Sequence, residues 1–247
     1  MNLAKYIKDN MVIIPKGQEL IRDFVDQEKW ISSNSKMSIP GSNEKTVKQK
    51  TVDIQPFLLL NTPVTNEVYA YVMGFDYDIK TKDFPVVNVS WNDAIIFCNN
   101  ISEKLGLDKC YKLNSISEKI KIDNSKNGFR LPNDDEWQYA CRGNLKGYRY
   151  GNIEDIAWYE ENSGEKLHPV KMKKENQFGL FDMIGNVWEW CFDLYDETRY
   201  GNYRIFRGGS FASEGRACGT TSRRKSFPEF KIDDLGFRIA MNNLEGI

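Results

Sequence analysis

The chain has 247 residues, 34 basic and 35 acidic side chains and a net charge of -1, with 40% hydrophobic and 13% aromatic residues. Charge this balanced sets up no long-range field toward nucleic acid or an anionic membrane, and no apolar run is long enough for a signal segment or a membrane span, so a cytoplasmic chain is expected. Five cysteines without a CxxC pair and a single histidine, His168, leave little for zinc or a His-dependent triad, and the cysteines read as buried free thiols.

In chain order, Met11–Lys16 reads as a first strand ended by Pro15 and Gly17, and the polar stretch 18–50 as an exposed excursion. Thr51–Leu60 resumes strand-like alternation. A short helix follows Thr65, with Val68, Tyr69, Val72 and Met73 on one face and Gly74 as its stop. Phe84–Val89 is extended. Ser90 and Asp93 then form a capping box for a helix that turns Ala94, Ile95, Phe97, Cys98 and Ile101 inward and stops near Gly106. Tyr111–Gly128 is polar and lysine-rich. A third helix starts at the Asn133 cap, with Glu136 three residues on and Trp137, Tyr139, Ala140 and Cys141 on its inner side. Tyr148–Asn152 and Ala157–Ser163 read as loops.

The stretch NQFGLFDMIGNVWEW, Asn176–Trp190, interleaves aromatic and aliphatic residues with Asp182, Gly185, Asn186 and Glu189 at neither a helical nor a strand period, so a packed loop is expected there. Two readings stand for it. The carboxylates of an apolar core loop face solvent, or side-chain and main-chain oxygens beside a turn-forming glycine hold a hard cation such as calcium. Trp137, Trp188 and Trp190 are expected to be buried.

The series MVIIPKG, PVTNEVYAYVMG, FPVVNVSWNDAIIFCNNISEKLGL, FRLPNDDEWQYACRG, NQFGLFDMIGNVWEW, FRGGSF and LGFRIA resembles the formylglycine-generating enzyme (sulfatase-modifying factor) family, in the family's order from Met11 to Ala240. The resemblance implies a single α+β domain, 1–247, of C-type-lectin-like type: little regular structure, short antiparallel strands, two to three helices and long packed loops. It also implies one calcium ion, with ligands carried over to Asp182 and Glu189 through side chains and to Gly185 and Val187 through carbonyls. A second family calcium site would fall on IAWYEENSGEKLHPVK, which does not match.

Enzymatic members of the family oxidise a substrate cysteine to formylglycine with copper(I) held by two cysteines spaced C-x4-C after the GGS. Here Ser213 stands at the first position. Counted from GGS, Cys218 matches the second; counted from Arg223 and Gly236, the segment is about three residues short and Cys218 matches a non-cysteine position. A hydroxyl is a poor ligand for copper(I), so copper is not expected. Cys218, Ser213, Ser210 and Trp188 remain the catalytic candidates if the oxidase reading holds. The other reading is a module binding a protein or small molecule through the surface Phe211–Leu235, with Phe211, Ser213, Glu214, Arg216, Arg224, Phe227 and Phe230 as contact candidates. That loop can also be no more than a solvated one. A non-haem iron enzyme, which related domains accompany, is set aside because one histidine cannot build its ligand triad.

Overall fold

A computed structural model describes residues 1–21, 50–113 and 120–242. The chain opens with a helix, α1 (Leu3–Asn10), which the sequence reading did not include. Asn2 caps it by accepting from the Lys5 N–H, and Leu3 and Ile7, one turn apart, bury its inner side. Strands β1 (Met11–Ile14), β2 (Gly17–Ile21), β3 (Lys50–Ile54) and β4 (Phe57–Leu60) follow. β2 and β3 pair antiparallel from Gly17 with Ile54 to Ile21 with Lys50, so the two ends of the polar excursion form a ribbon. Its remaining residues, 22–49, lie outside the described ones.

Helix α2 (Asn66–Met73) ends at Gly74 in the left-handed region, φ 77°, as its sequence suggested. Helix α3 (Trp91–Lys104) carries the capping box: the Ser90 hydroxyl accepts from the Asp93 N–H, and the Asp93 carboxylate accepts from the Ser90 N–H. Strands β5 (Tyr111–Lys112), β6 (Lys121–Ile122) and β7 (Phe129–Arg130) lead into helix α4 (Asp134–Arg142), where Asn133 and Glu136 close the same kind of box. Between the expected loops Tyr148–Asn152 and Ala157–Ser163 lies a single-turn helix, Ile153–Ile156, capped by Asn152, and the second loop contains another, Glu160–Ser163. The packed stretch runs as loop only to Val187. From Trp188 the period-2 alternation of Trp188, Glu189 and Trp190 makes strand β8 (Trp188–Leu194). After β9 (Arg204–Arg207) and β10 (Arg223–Ser226) come β11 (Leu235–Phe237) and β12 (Ala240–Met241).

The strands assemble into two four-stranded sheets, ordered β1-β4-β12-β7 and β10-β9-β8-β11, plus the β2-β3 and β5-β6 pairs. The second sheet is mixed: β8 runs antiparallel to β9 and parallel to β11, with Gly236 opposite Glu189. Short strands and long connections match the α+β, lectin-like expectation. Two apolar clusters fill the interior. One joins α2 and α3 to Trp188, Trp190 and Phe237; the other joins Ile14, Phe57 and Leu59 to Trp137, Met183, Ile184 and Cys218. All three expected tryptophans are buried, and all five cysteines are buried and free. Among the described residues no helix is long and apolar enough to cross a membrane.

Buried charge ties these layers together. Asp193 on β8 is half-buried and accepts from the Asp134 N–H at 2.6 Å. Burial, with Asp134, Asp135 and Glu136 nearby, raises its pKa from 3.8 to about 6. The folded state then holds this proton more tightly than the unfolded chain. Stability should fall as pH rises from about 4 to about 6 and level off above, by about 1–2 kcal/mol after solvent screening. Asp193→Asn, which keeps an oxygen for the Asp134 N–H, should remove the share of that fall due to Asp193 and leave the share due to Asp182, whose pKa is raised alike. Denaturant midpoints measured from pH 4 to 8 check it, and an unchanged slope in the variant would show that another group titrates.

Candidate functional site

The loop before β8 turns sharply. Asp182, Gly185 and Asn186 all adopt positive φ, at 54°, 76° and 59°. A Cβ on Gly185 would stand 2.3 Å from the Trp158 carbonyl oxygen, so only glycine fits this approach. Asn186 clamps the outside of the turn: its side chain accepts from the His168 N–H and donates to the His168 carbonyl, both at 3.1 Å.

Asp182 and Glu189 are 2% and 1% exposed, which sets aside the reading in which they face solvent. Glu189 accepts from Arg238 Nε and Nη2 at 3.0 and 2.8 Å and from Trp137 Nε1 at 2.8 Å. Arg238, itself fully buried, also donates to the carbonyls of Leu60 and Phe181. Asp182 accepts from the Lys171 N–H at 2.9 Å, and burial raises its pKa to about 6 despite that bond. Among the described residues Arg238 pairs with Glu189, while Asp182 feels the guanidinium charge without bonding to it. The Tyr150 hydroxyl lies near enough to feel the charges of both carboxylates and is buried with no hydrogen-bond partner among the described residues. Among the described residues no group of three or more His, Cys, Asp or Glu is placed to hold a metal ion, so a hard cation here would rest on these two carboxylates and on main-chain oxygens.

The second constellation follows β9. Gly208 and Gly209 have φ 101° and 85°, and a Cβ on Gly209 would meet Cys218 Sγ at 2.6 Å. Their lack of side chains lets the chain double back and bring Ser210, Ser213 and Cys218 together. Ser210 Oγ donates to Asp234 Oδ2 at 2.6 Å and lies 3.0 Å from Ser213 Oγ, which in turn accepts from the Ser210 N–H at 3.1 Å. The Cys218 thiol points at the carbonyls of Ser210 and Ser213, 3.9 and 3.8 Å away. Cys218 thus packs against Ser210 and Ser213, from whichever end the segment is counted. Burial pushes its thiol up to about 12, so it is protonated at neutral pH. Arg149 holds the intervening turn, donating to the carbonyls of Gly215 and Cys218, and the Tyr148 hydroxyl donates to that of Arg216.

Trp188 lies buried in the same sheet, edge-on to Phe206, with the Arg224 guanidinium 4.8 Å above its ring. The surface candidates divide. Glu214, Arg216, Arg224 and Phe227 are exposed, Phe211 and Phe230 are half-buried, and Ser213 is 5% exposed beneath them. Glu214 and Arg216 pair with each other at 2.6 Å. Sequence reasoning missed Asp134, Arg207 and Arg149, which position this loop, the first two buried and Arg149 half-buried.

A family model described as "Sulfatase-modifying factor enzyme 1-like domain" matches residues 3–243. The chain is 30% identical over 210 residues to a protein named chaperone protein LppX of Paenibacillus barcinonensis, covering 70% of this chain and 75% of that one. It is 28% identical over 253 residues to the inactive C-alpha-formylglycine-generating enzyme 2 of Bos taurus, covering 92% and 75%. Among solved structures, variable protein 1 of Treponema denticola superposes with a TM-score of 0.77 at 30% identity, covering 94% and 95%.

Proposed function

Since the chain belongs to the sulfatase-modifying factor enzyme 1-like domain family, we propose that it is a calcium-stabilised module that binds a protein or small-molecule ligand and has given up the oxidase chemistry of the family. The observation that carries this reading is the state of Ser213 and Cys218. Copper(I) takes soft thiolates. Here the first position offers a hydroxyl already committed to Ser210, and the second a single buried thiol that burial keeps protonated. That donor set does not fit copper(I).

Incubation of a cysteine-containing sulfatase peptide with the protein, copper and oxygen should leave the peptide mass unchanged. Loss of the mass that marks conversion of cysteine to aldehyde would overturn the binding-module reading. Ser213→Cys supplies the reverse test, since restored copper(I) affinity would locate the defect in the missing thiol alone.

Calcium fits the buried carboxylates better. Asp182 and Glu189 would hold it by their side chains and Gly185 and Val187 by their carbonyls, and the ion would supply the positive charge that Arg238 alone does not. Binding only the folded state, it should stabilise by RT ln(1 + [L]/Kd), about 2.7 kcal/mol at a hundredfold excess over Kd. Thermal melts with calcium and with chelator should therefore separate by several degrees. Identical melts, with no metal by elemental analysis, would remove calcium from the proposal. The recognition surface is then the exposed part of Phe211–Leu235, seated on this rigid base.

A further inference from the structure

The free edge of the second sheet suggests what the recognition surface takes. β10 is the outermost strand and, among the described residues, pairs only with β9, from Arg223 opposite Arg207 to Ser226 opposite Arg204. Its other edge offers backbone donors and acceptors that an incoming strand can use. Side chains along β10 alternate between the faces of the sheet. Arg223 and Lys225 lie on one, where Lys225 Nζ sits 4.5 and 4.2 Å from the ring centres of Tyr195 and Tyr200. Arg224 lies on the other, over Trp188.

The charges there are unequal. Arg223 is matched by Asp134, but neither Arg224 nor Lys225 has a carboxylate within ion-pair distance among the described residues. The acid whose charge Arg224 feels, Asp234, accepts from Ser210 Oγ at 2.6 Å and lies beyond ion-pair distance of Arg224. Just past the strand, Phe227 is 43% exposed and packs edge-on to Tyr203 and Phe230, a partly apolar shoulder for whatever lies along the edge. Basic residues on an edge strand commonly guard it against pairing. Here they guard it selectively: a second copy would set Arg and Lys against Arg and Lys, whereas an acidic strand would meet opposite charge on both faces.

We propose that β10 binds an extended acidic segment of a partner protein as an added strand, with Arg224 and Lys225 pairing to its carboxylates and Phe227 covering one end. This rests on the reading of Phe211–Leu235 as a recognition surface and narrows it to one edge and one ligand chemistry.

The probe is a fluorescent ten-residue peptide alternating glutamate and valine, titrated at low salt. Binding is expected, with amide chemical-shift changes centred on Arg223–Phe227. The double variant Arg224→Glu, Lys225→Glu, both at solvent-accessible positions, should bind at least tenfold more weakly. The same peptide N-methylated at alternate residues should lose binding to the unaltered protein, a comparison independent of how any variant folds. Equal affinity for the N-methylated peptide or for a lysine-for-glutamate peptide, or no binding of the acidic peptide, would overturn strand addition. So would tighter binding of single-stranded oligothymidylate, which would mark the tyrosines as a stacking surface for nucleic acid. Failure here leaves the mass-spectrometric result untouched, and aldehyde formation there leaves this one untouched, so the two readings fail separately.

Discussion

Glu189→Ala should lower the stability of the fold by about 3–5 kcal/mol, a large share of the 5–15 kcal/mol typical of a domain. The variant strands a fully buried guanidinium: Arg238 loses both bonds to the carboxylate and, among the described residues, keeps only the carbonyls of Leu60 and Phe181. Trp137 loses the acceptor for its ring N–H in the same step. Because most of that cost is the unpaired charge, Glu189→Leu combined with Arg238→Met should recover much of it, as an apolar pair of similar volume has no charge to desolvate. Denaturant midpoints for the two singles and the double give the coupling. Repeating the set in chelator separates the ion pair from any metal, since a loss caused by stranding Arg238 persists there and a loss caused by a missing calcium ligand does not. An unchanged midpoint for Glu189→Ala would mean that Arg238 finds another partner or water.

How far the sequence carried the fold depends on whether each feature is local. The capping boxes at Ser90–Asp93 and Asn133–Glu136 were legible because each is a contact over three residues. Gly74 and the buried tryptophans were legible for the same reason, as backbone freedom and apolar bulk are properties of single positions. α1 was not, because only Leu3 and Ile7 of its eight residues are buried, too few to establish a period. The site was half legible. The loop residues Asp182, Gly185 and Glu189 stood out by composition, but Arg238 and Asp134 did not, because their partners lie 49 and 73 residues away. One signal was available for Arg238: an arginine inside the apolar run LGFRIA has no cheap place to go and implies a buried carboxylate. The position of Cys218 needed coordinates, because a shortened segment can be counted from either end.

Asp134→Ala should cost about 3–5 kcal/mol and should also loosen the recognition loop as a unit. One carboxylate at the start of α4 holds both feet of that loop: Oδ1 accepts from Arg207 Nε at 2.6 Å and Oδ2 from Arg223 Nε at 3.0 Å. Arg207 is the last residue before the Gly208–Gly209 turn, and Arg223 is the first of β10. Between these feet lie Ser213 and Cys218, on a segment that Arg149 and Asp234 hold at its middle. The two arginines differ in surroundings. Arg207 is 1% exposed and, among the described residues, donates otherwise only to the carbonyl of Thr220 at 3.4 Å, so losing Asp134 strands its charge; Arg223 lies at the rim and keeps Tyr195 as a second contact. The expectation is therefore asymmetric. Asp134→Asn, which keeps an oxygen but not the charge, should cost less than Asp134→Ala. A double-mutant cycle should give a larger coupling of position 134 with Arg207→Met than with Arg223→Met. Amide hydrogen exchange in Asp134→Asn should speed up across 208–222 while α3 stays protected. Uniform acceleration over the whole chain would show instead that Asp134 supports the fold at large and that the loop has no separate clasp.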